Sequence, residues 1–382
     1  MAATLGSKVT GFLRLQAIAQ IFGANWQTDA FLTAFLIPEC LYLFFTEGAL
    51  SSAFVPLFTK YLVKKEESEA PAATLLSTLS ISALFLGLPI AFAIIYWQKD
   101  VARALGPNFS SQTQGLAAVL LAIVAFYIPI GLVGGVLQGY LNACGHFLAP
   151  AMGPLVFNIL TVGAAYLFGS TYGIVSLAWA VLIGGIAALL IQLLVLPFLG
   201  HPIFGRPNWR HPGVKEAARL LAPVLATVVL VQVQVIVERV MASSLVSGSV
   251  SSLNFAYKIL NLPAGLLALT ISTALLPTLA AAASCKRQEE FHSRTLESHT
   301  MLVWLVAPLS GFLILCASPI VTLAFQRGAF TVAHAEVTAR VLACYGMALL
   351  PLAGTFLLTR VFFALNDTLT PAIVKVIATA LN

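Results

Sequence analysis

Apolar stretches long enough to cross a bilayer recur along almost the whole chain, and no other feature constrains the fold as much. A hydrocarbon core of about 30 Å takes roughly 20 apolar residues as helix. Stretches of this kind lie near 5–23, 29–60, 72–97, 114–140, 149–168, 173–198, 214–242, 250–283, 297–322, 333–364 and 369 to the end, eleven in all. Backbone N–H and C=O groups in lipid have no water to bond to, so a chain of this kind satisfies them inside helices. The expected fold class is an all-α polytopic membrane protein. Composition agrees: hydrophobic residues make up 59% and charged residues 9%, against about 25% charged in a soluble domain. The last stretch, Ile373 to Asn382, is too brief to cross and reads as cut short.

The net charge of +6 does not describe a nucleic-acid grip, because most Lys and Arg sit in short loops between apolar runs. With the N-terminus inside, the inner loops hold Lys60, Lys64, Lys65, Arg206, Arg210, Lys215, Arg219, Lys286, Arg287 and Arg294. The outer loops hold Lys99, Arg103 and Arg327. That asymmetry predicts a cytoplasmic N-terminus. Lys8, Arg14, Gln16 and Gln20 interrupt the first stretch, so it is not the h-region of a signal peptide. The five Cys are scattered without CxxC spacing, and the six His show no ligand pattern, so neither a disulfide framework nor a metal site is expected. No GxxxxGK[ST], HExxH or GxSxG motif occurs, so the sequence offers no home for nucleotide hydrolysis, metalloprotease or serine-hydrolase chemistry. A non-enzyme without cofactor is expected.

The longest polar, Pro-bearing connection is Gly200–Gly213, which reads as a joint between halves. The halves resemble each other. Leu137–Ala151 (LQGYLNACGHFLAPA) and Leu358–Ala372 (LTRVFFALNDTLTPA) match at five of fifteen positions, and Pro150 and Pro371 lie 221 residues apart. Ser51–Pro56 and Ser272–Pro277 repeat at the same 221-residue offset. The offset spans six of the eleven stretches, an even number, which predicts parallel repeats. The expected organisation is a six-helix lobe over 1–198, a cytoplasmic linker over 199–213 and a second lobe over 214–382 with about five helices, the two enclosing a central cavity.

Ionisable residues at bilayer depth cost about 2.5–3.5 kcal/mol each on insertion scales and normally face a cavity or a partner. The candidates are Lys8, Arg14, Asp29, Glu39, Glu47, Glu238, Arg239, Lys258, Arg340 and Arg360. Lys8 is near enough to an end to snorkel, whereas Arg14 is deeper. Asp29 reads either as a functional acid or as an N-cap. Asp29 and Glu47 are eighteen residues apart, about five turns, so a straight helix would put both on one face, and Pro38 lies between them. Gln232 and Arg239 share a face, which suits an interhelical hydrogen bond. Lys258 sits in mid-stretch, where a cavity role is expected; Arg340 and Arg360 read as possible members of structural pairs.

Several blocks together resemble the MurJ (MviN) family of lipid II flippases: SKVTGFLR (7–14), FGANWQTDAFLTAFLIP (22–38), TEGALSSAFVPLF (46–58), QGYLNACGHFLAPAMGP (138–154), FAYKILNLPAGLLALTISTALLP (255–277), FQRGAF (325–330) and RVFFALNDTLTP (360–371). The wider superfamily includes multidrug and polysaccharide exporters. The resemblance implies two helical lobes around a cationic cavity, alternating access, and two further helices that groove a polyprenyl tail. It implies a substrate-binding set of Lys8, Arg14 and Lys258 as cavity cations, with Asp29 and Glu47 as acids. The partner it implies is a polyprenyl-diphosphate-linked glycan in the bacterial inner membrane, with no nucleic acid. The family usually has Arg where Lys8 and Lys258 stand, and this loses bidentate phosphate geometry. Where the family commonly reads Asn-Leu-Leu-Arg-Arg, this chain has Glu39-Cys40-Leu41-Tyr42-Leu43. The family is also longer, so the second lobe reads as truncated. With no nucleotide motif, energy would come from the membrane potential or a monovalent cation. The alternatives are a cation-coupled drug or polysaccharide-lipid exporter, an inactive shortened relative, and an enzyme acting on polyprenyl phosphates.

Overall fold

Fifteen helices carry the described part of the chain, and no strand occurs among the described residues. The computed structural model describes residues 2–46, 49–63, 72–200, 205–264 and 279–381, apart from 283, 286, 366 and 368. In order the helices are α1 (Ala2–Phe22), α2 (Trp26–Thr46), α3 (Ala49–Val63), α4 (Ala72–Tyr96), α5 (Gln98–Leu105), α6 (Ser111–Val124), α7 (Tyr127–Ala143), α8 (Leu148–Tyr172) and α9 (Val175–Phe198). They continue as α10 (Pro212–Ala242), α11 (Ser249–Pro263), α12 (Gln288–Leu315), α13 (Ala317–Phe325), α14 (Val332–Ala364) and α15 (Leu369–Leu381). Six stretches are long and apolar enough to cross a membrane among the described residues: α4, α6 with α7, α8, α9, α12 and α14.

Local chemistry sets the breaks. Asn25 caps α2, its Oδ1 accepting the N–H groups of Gln27 (2.9 Å) and Thr28 (3.2 Å). The stretch expected over 29–60 is helical on both sides of residues 47–48, which lie outside the described residues. The 114–140 stretch is divided, at Ala125–Phe126. Pro129 has no N–H to give the Ala125 carbonyl four residues back, and the Ile128 N–H takes that carbonyl instead at 3.0 Å. In the second half α12 starts at Gln288, nine residues before the apolar run expected from 297, and Cys316 separates it from α13.

The contacts divide the chain into two compact units, Met1–Ser247 and Gly248–Asn382. In the first unit α8 packs along both α1 and α9, α4 along α7, α2 along α6 and α3 along α7. Its core is a cluster in which the Phe58 ring meets Tyr140 edge-on at 5.1 Å. Close approach needs small residues: a Cβ on Gly139 would stand 2.5 Å from the Phe54 Cβ, and one on Gly87 only 2.7 Å from the Pro129 Cα. In the second unit α14 is central, packing against α11, α12 and α13. Phe255, Phe325 and Phe330 form a triad there with ring centroids 5.0–5.8 Å apart, and the Ser310 hydroxyl donates to the Gly346 carbonyl.

The sequence reading starts the second lobe at 214, whereas α10 groups with the first unit. It packs mainly on α3, and Lys60 bridges to Glu216 at 2.8 Å. The segment before it is strapped to α4, the Gly205 N–H donating to Ser77 Oγ (2.6 Å) and the Asn208 N–H to Thr78 Oγ1 (2.8 Å). His211 then caps α10, its Nδ1 accepting the Gly213 N–H at 3.0 Å.

The 221-residue offset is carried by the helices themselves. Shifted by 221, the stretch Ser111–Ala143 falls on α14, Val332–Ala364, at both ends, and the start of α8 falls on the start of α15. The capping positions correspond too. Ser110 accepts the Thr113 N–H at the head of α6, and Thr331 opens α14 in a capping box with His334. Pro150 and Pro371 are each the third residue of their helix; Pro277 lies outside the described residues.

Candidate functional site

The first unit brings a cation on α1 together with aromatic side chains of α2 and α8. α1 is fixed by polar bonds to α8. The Asn158 amide donates to the Ser7 carbonyl (3.2 Å) and to Thr10 Oγ1 (3.3 Å), and the Tyr166 hydroxyl donates to Gln20 Oε1 (2.9 Å). Part of the polarity of α1 therefore serves helix–helix hydrogen bonds.

Arg14 lies half-buried beside two adjacent rings. Its guanidinium carbon is 5.2 Å from the Phe35 centroid and 5.4 Å from that of Phe157, and the two rings are 6.2 Å apart. Both distances fall within the roughly 6 Å reach of a cation–π contact. Lys8 is exposed. Six residues separate it from Arg14, and at about 100° per residue the two leave α1 roughly 120° apart, so they do not share a face.

Asp29 is buried, 2% exposed, in the first turn of α2. It is not the N-cap, because Asn25 holds that position; the Asp29 N–H already donates to the Asn25 carbonyl at 2.9 Å. Its carboxylate stands where the helix N-terminus favours negative charge. Glu47 lies outside the described residues, so the expected Asp29–Glu47 face is not described. Glu39 and Arg239 are half-buried on α2 and α10, while Glu238 is exposed and accepts from Gln234 at 3.4 Å. In the second unit Lys258 is half-buried on α11, between buried Phe255 and Ile259. Arg340 pairs with Glu336 at 3.9 Å on an exposed face, and Arg360 lies 5.7 Å from the Phe363 centroid. Arg14 and Asp29 thus belong to the first unit and Lys258 to the second. The rings beside Arg14 escaped the sequence reading; the only available signal was Phe recurring along α2. Among the described residues no group of three His, Cys, Asp or Glu side chains could hold a metal.

Helix order and packing define a multi-pass membrane transporter fold. An inward-facing multidrug MATE transporter of the MOP superfamily superposes with a TM-score of 0.76 at 14% identity, over 97% of this chain and 84% of that one, a likeness of fold alone. The particular family is given by its model, "Lipid II flippase MurJ", which matches residues 18–382, and the chain belongs to that family. A lipid II flippase MurJ of Burkholderia cenocepacia is 31% identical over 378 residues, 96% of this chain and 72% of the relative. A probable one of Buchnera aphidicola is 29% identical over 99% of this chain and 75% of its own length. A solved structure titled as lipid II flippase MurJ in an inward closed conformation has a TM-score of 0.85 at 26% identity, covering 99% of this chain and 78% of that one.

Proposed function

We propose that this chain moves lipid II, an undecaprenyl-diphosphate-linked disaccharide-peptide, across the bacterial cytoplasmic membrane by alternating access, for cell-wall synthesis. The observation that carries the reading beyond family membership is Arg14, a permanent cation on α1 beside Phe35 and Phe157. A diphosphate is recognised best by charge-assisted bonds, about twice as strong as neutral ones. Lys8 and Lys258 supply further positive charge, and Asp29 and Glu47 are the acids of the same set. The N-terminus is placed in the cytoplasm by the loop charges. Coupling to the membrane potential is natural, because one charge moved through 100 mV is worth about 2.3 kcal/mol; a monovalent cation is the other candidate.

The test is complementation of a flippase-depleted bacterium, with membrane abundance and lipid-linked precursor measured in the same cells. Arg14→Ala is expected at normal abundance with precursor accumulating, and Arg14→Lys keeps part of the activity. Lys258→Arg is tolerated and Lys258→Ala is not. Normal flipping by a well-expressed Arg14→Ala protein refutes the phosphate-binding role. Loss of the protein from the membrane instead makes Arg14 a structural partner. A cation-coupled drug exporter would confer drug resistance and fail to rescue the depleted cells.

A further inference from the structure

Helices α7, α8 and α9 of the first unit surround a cavity that shares only Phe157 with the Arg14 site. Helical spacing builds it. Tyr127, Gly134 and Gln138 follow one another along α7 at seven and four residues, Gly185 and Gln192 lie seven apart on α9, and Phe157 closes the α8 side. The space is a partly open slot of about 70 Å³, well below the roughly 300–1,000 Å³ of drug-sized sites, so it suits a slender chain rather than a bulky ligand. One end is aromatic, where Gly185 packs under the Tyr127 ring and Gly184 against Phe157. Gln138 and Gln192 lie about two to three turns further along their helices. Between the ends Gly134 leaves room beside apolar Ile130, Pro154 and Leu189, since a Cβ there would meet nothing within 4 Å.

Gln192 distinguishes this cavity from a packing gap. The residue is only 6% exposed, it lines the cavity, and its Oε1 is buried without a hydrogen-bond partner among the described residues. Buried side-chain amides nearly always find partners, and none of the described residues supplies one to this oxygen. The charge of an occupant is also constrained. No Asp, Glu, Lys, Arg or His lines the space, so any ion would enter uncompensated. A cation is disfavoured further because Phe157, part of the wall, already carries the Arg14 guanidinium on its ring.

We propose that this cavity binds a neutral amphiphile, an alkyl chain ending in a hydroxyl or amide. The polar end bonds to Gln192, and the chain runs over Gly134 to Tyr127 and Phe157. The test uses the full chain in lipid nanodiscs with a diazirine-bearing octanol as photolabel, read by mass spectrometry. Label is expected on α7, α8 and α9 around Gly134 and Gln192, competed by octanol and not by octane at equal membrane concentration. Gln192→Leu is expected to weaken labelling about fivefold, the value of one neutral hydrogen bond. Gly134→Leu fills the space and is expected to abolish labelling. Circular dichroism checks the fold of both variants, and the octanol-against-octane comparison needs neither. Equal competition by octane overturns recognition of the polar group. Unchanged labelling in Gly134→Leu overturns the site, as does label spread over exposed Phe85 and Leu167.

Discussion

Removing the ring beside Arg14 tests whether the guanidinium is held electrostatically or merely lies near two phenylalanines. Phe35→Leu keeps an apolar side chain and deletes the π face. Arg14→Gln keeps a hydrogen-bonding side chain, though a shorter one, and deletes the charge. A cation–π contact is worth about 0.5–1 kcal/mol when exposed and about 2 when desolvated. Arg14 is half-buried and 5.2 Å from the Phe35 centroid, so about 1 kcal/mol is expected, roughly fivefold in an equilibrium constant. The assay is reversible unfolding in mixed micelles for the parent, the two single variants and the double variant. The packing lost with Phe35→Leu cancels in this cycle, and only the interaction remains. Side chains that do not interact give additive changes to within about 0.3–0.5 kcal/mol. A coupling inside that band refutes the cation–π contact. The Phe157 cycle is expected to be at least as large, because Phe157 is the more buried ring.

Other perturbations have definite outcomes. Asn158→Leu removes both donors that tie α8 to α1; interhelical bonds in membranes average about 0.6 kcal/mol, so a loss of about 1 kcal/mol is expected in the same unfolding assay. Gly87→Ala drives a methyl to 2.7 Å from the Pro129 Cα and should cost about 1–3 kcal/mol. Gly134→Ala, which meets nothing, should cost none, and equal stability of the two variants would contradict the packing. Asp367 accepts the Thr370 hydroxyl and the N–H groups of Thr370 and Leu369, which hold its carboxyl below the usual carboxylate range. A depressed value means the cap is fully present above the ordinary carboxylate pKa of about 4 and is lost as pH falls through the depressed one. Amide exchange at Leu369 and Thr370 should therefore be fast at neutral pH in Asp367→Ala, and stay slow in the parent and largely so in Asp367→Asn.

The helical membrane fold was legible because lipid leaves the backbone one solution, and hydropathy records it directly. Hydropathy sees contact with lipid rather than helix, however. The polar Gln288–Arg294 turns of α12 were missed because a helix continues past an apolar run when its backbone bonds do. The break at Ala125–Phe126 was in principle readable, since Pro129 withdraws a donor four residues back. The placement of α10 was not readable, because it rests on side chains 128 to 156 residues apart meeting at Ser77, Thr78 and Lys60. At the site, the sequence marked Arg14 as too deep to be idle. It could not supply Phe35 and Phe157, which become neighbours only through folding. Asp29 was left open between cap and acid, and Asn25 settles the first of these by taking the cap. Gln192 passed unremarked as one polar residue in an apolar helix; its significance is the absence of a partner, which no linear pattern displays.

From Ser111 to the start of α8, and from Val332 to the start of α15, the two halves keep the same count of residues between corresponding landmarks, while in their best block only five of fifteen side chains agree. Spelling has drifted and length has not. A bilayer acts as a ruler laid across both copies: a residue gained inside a crossing turns every later side chain by about 100° and lifts it by about 1.5 Å. Substitutions can be absorbed one at a time, whereas an insertion displaces a whole face at once. If the halves descend from one ancestral segment, the membrane has been copy-editing that inheritance for length.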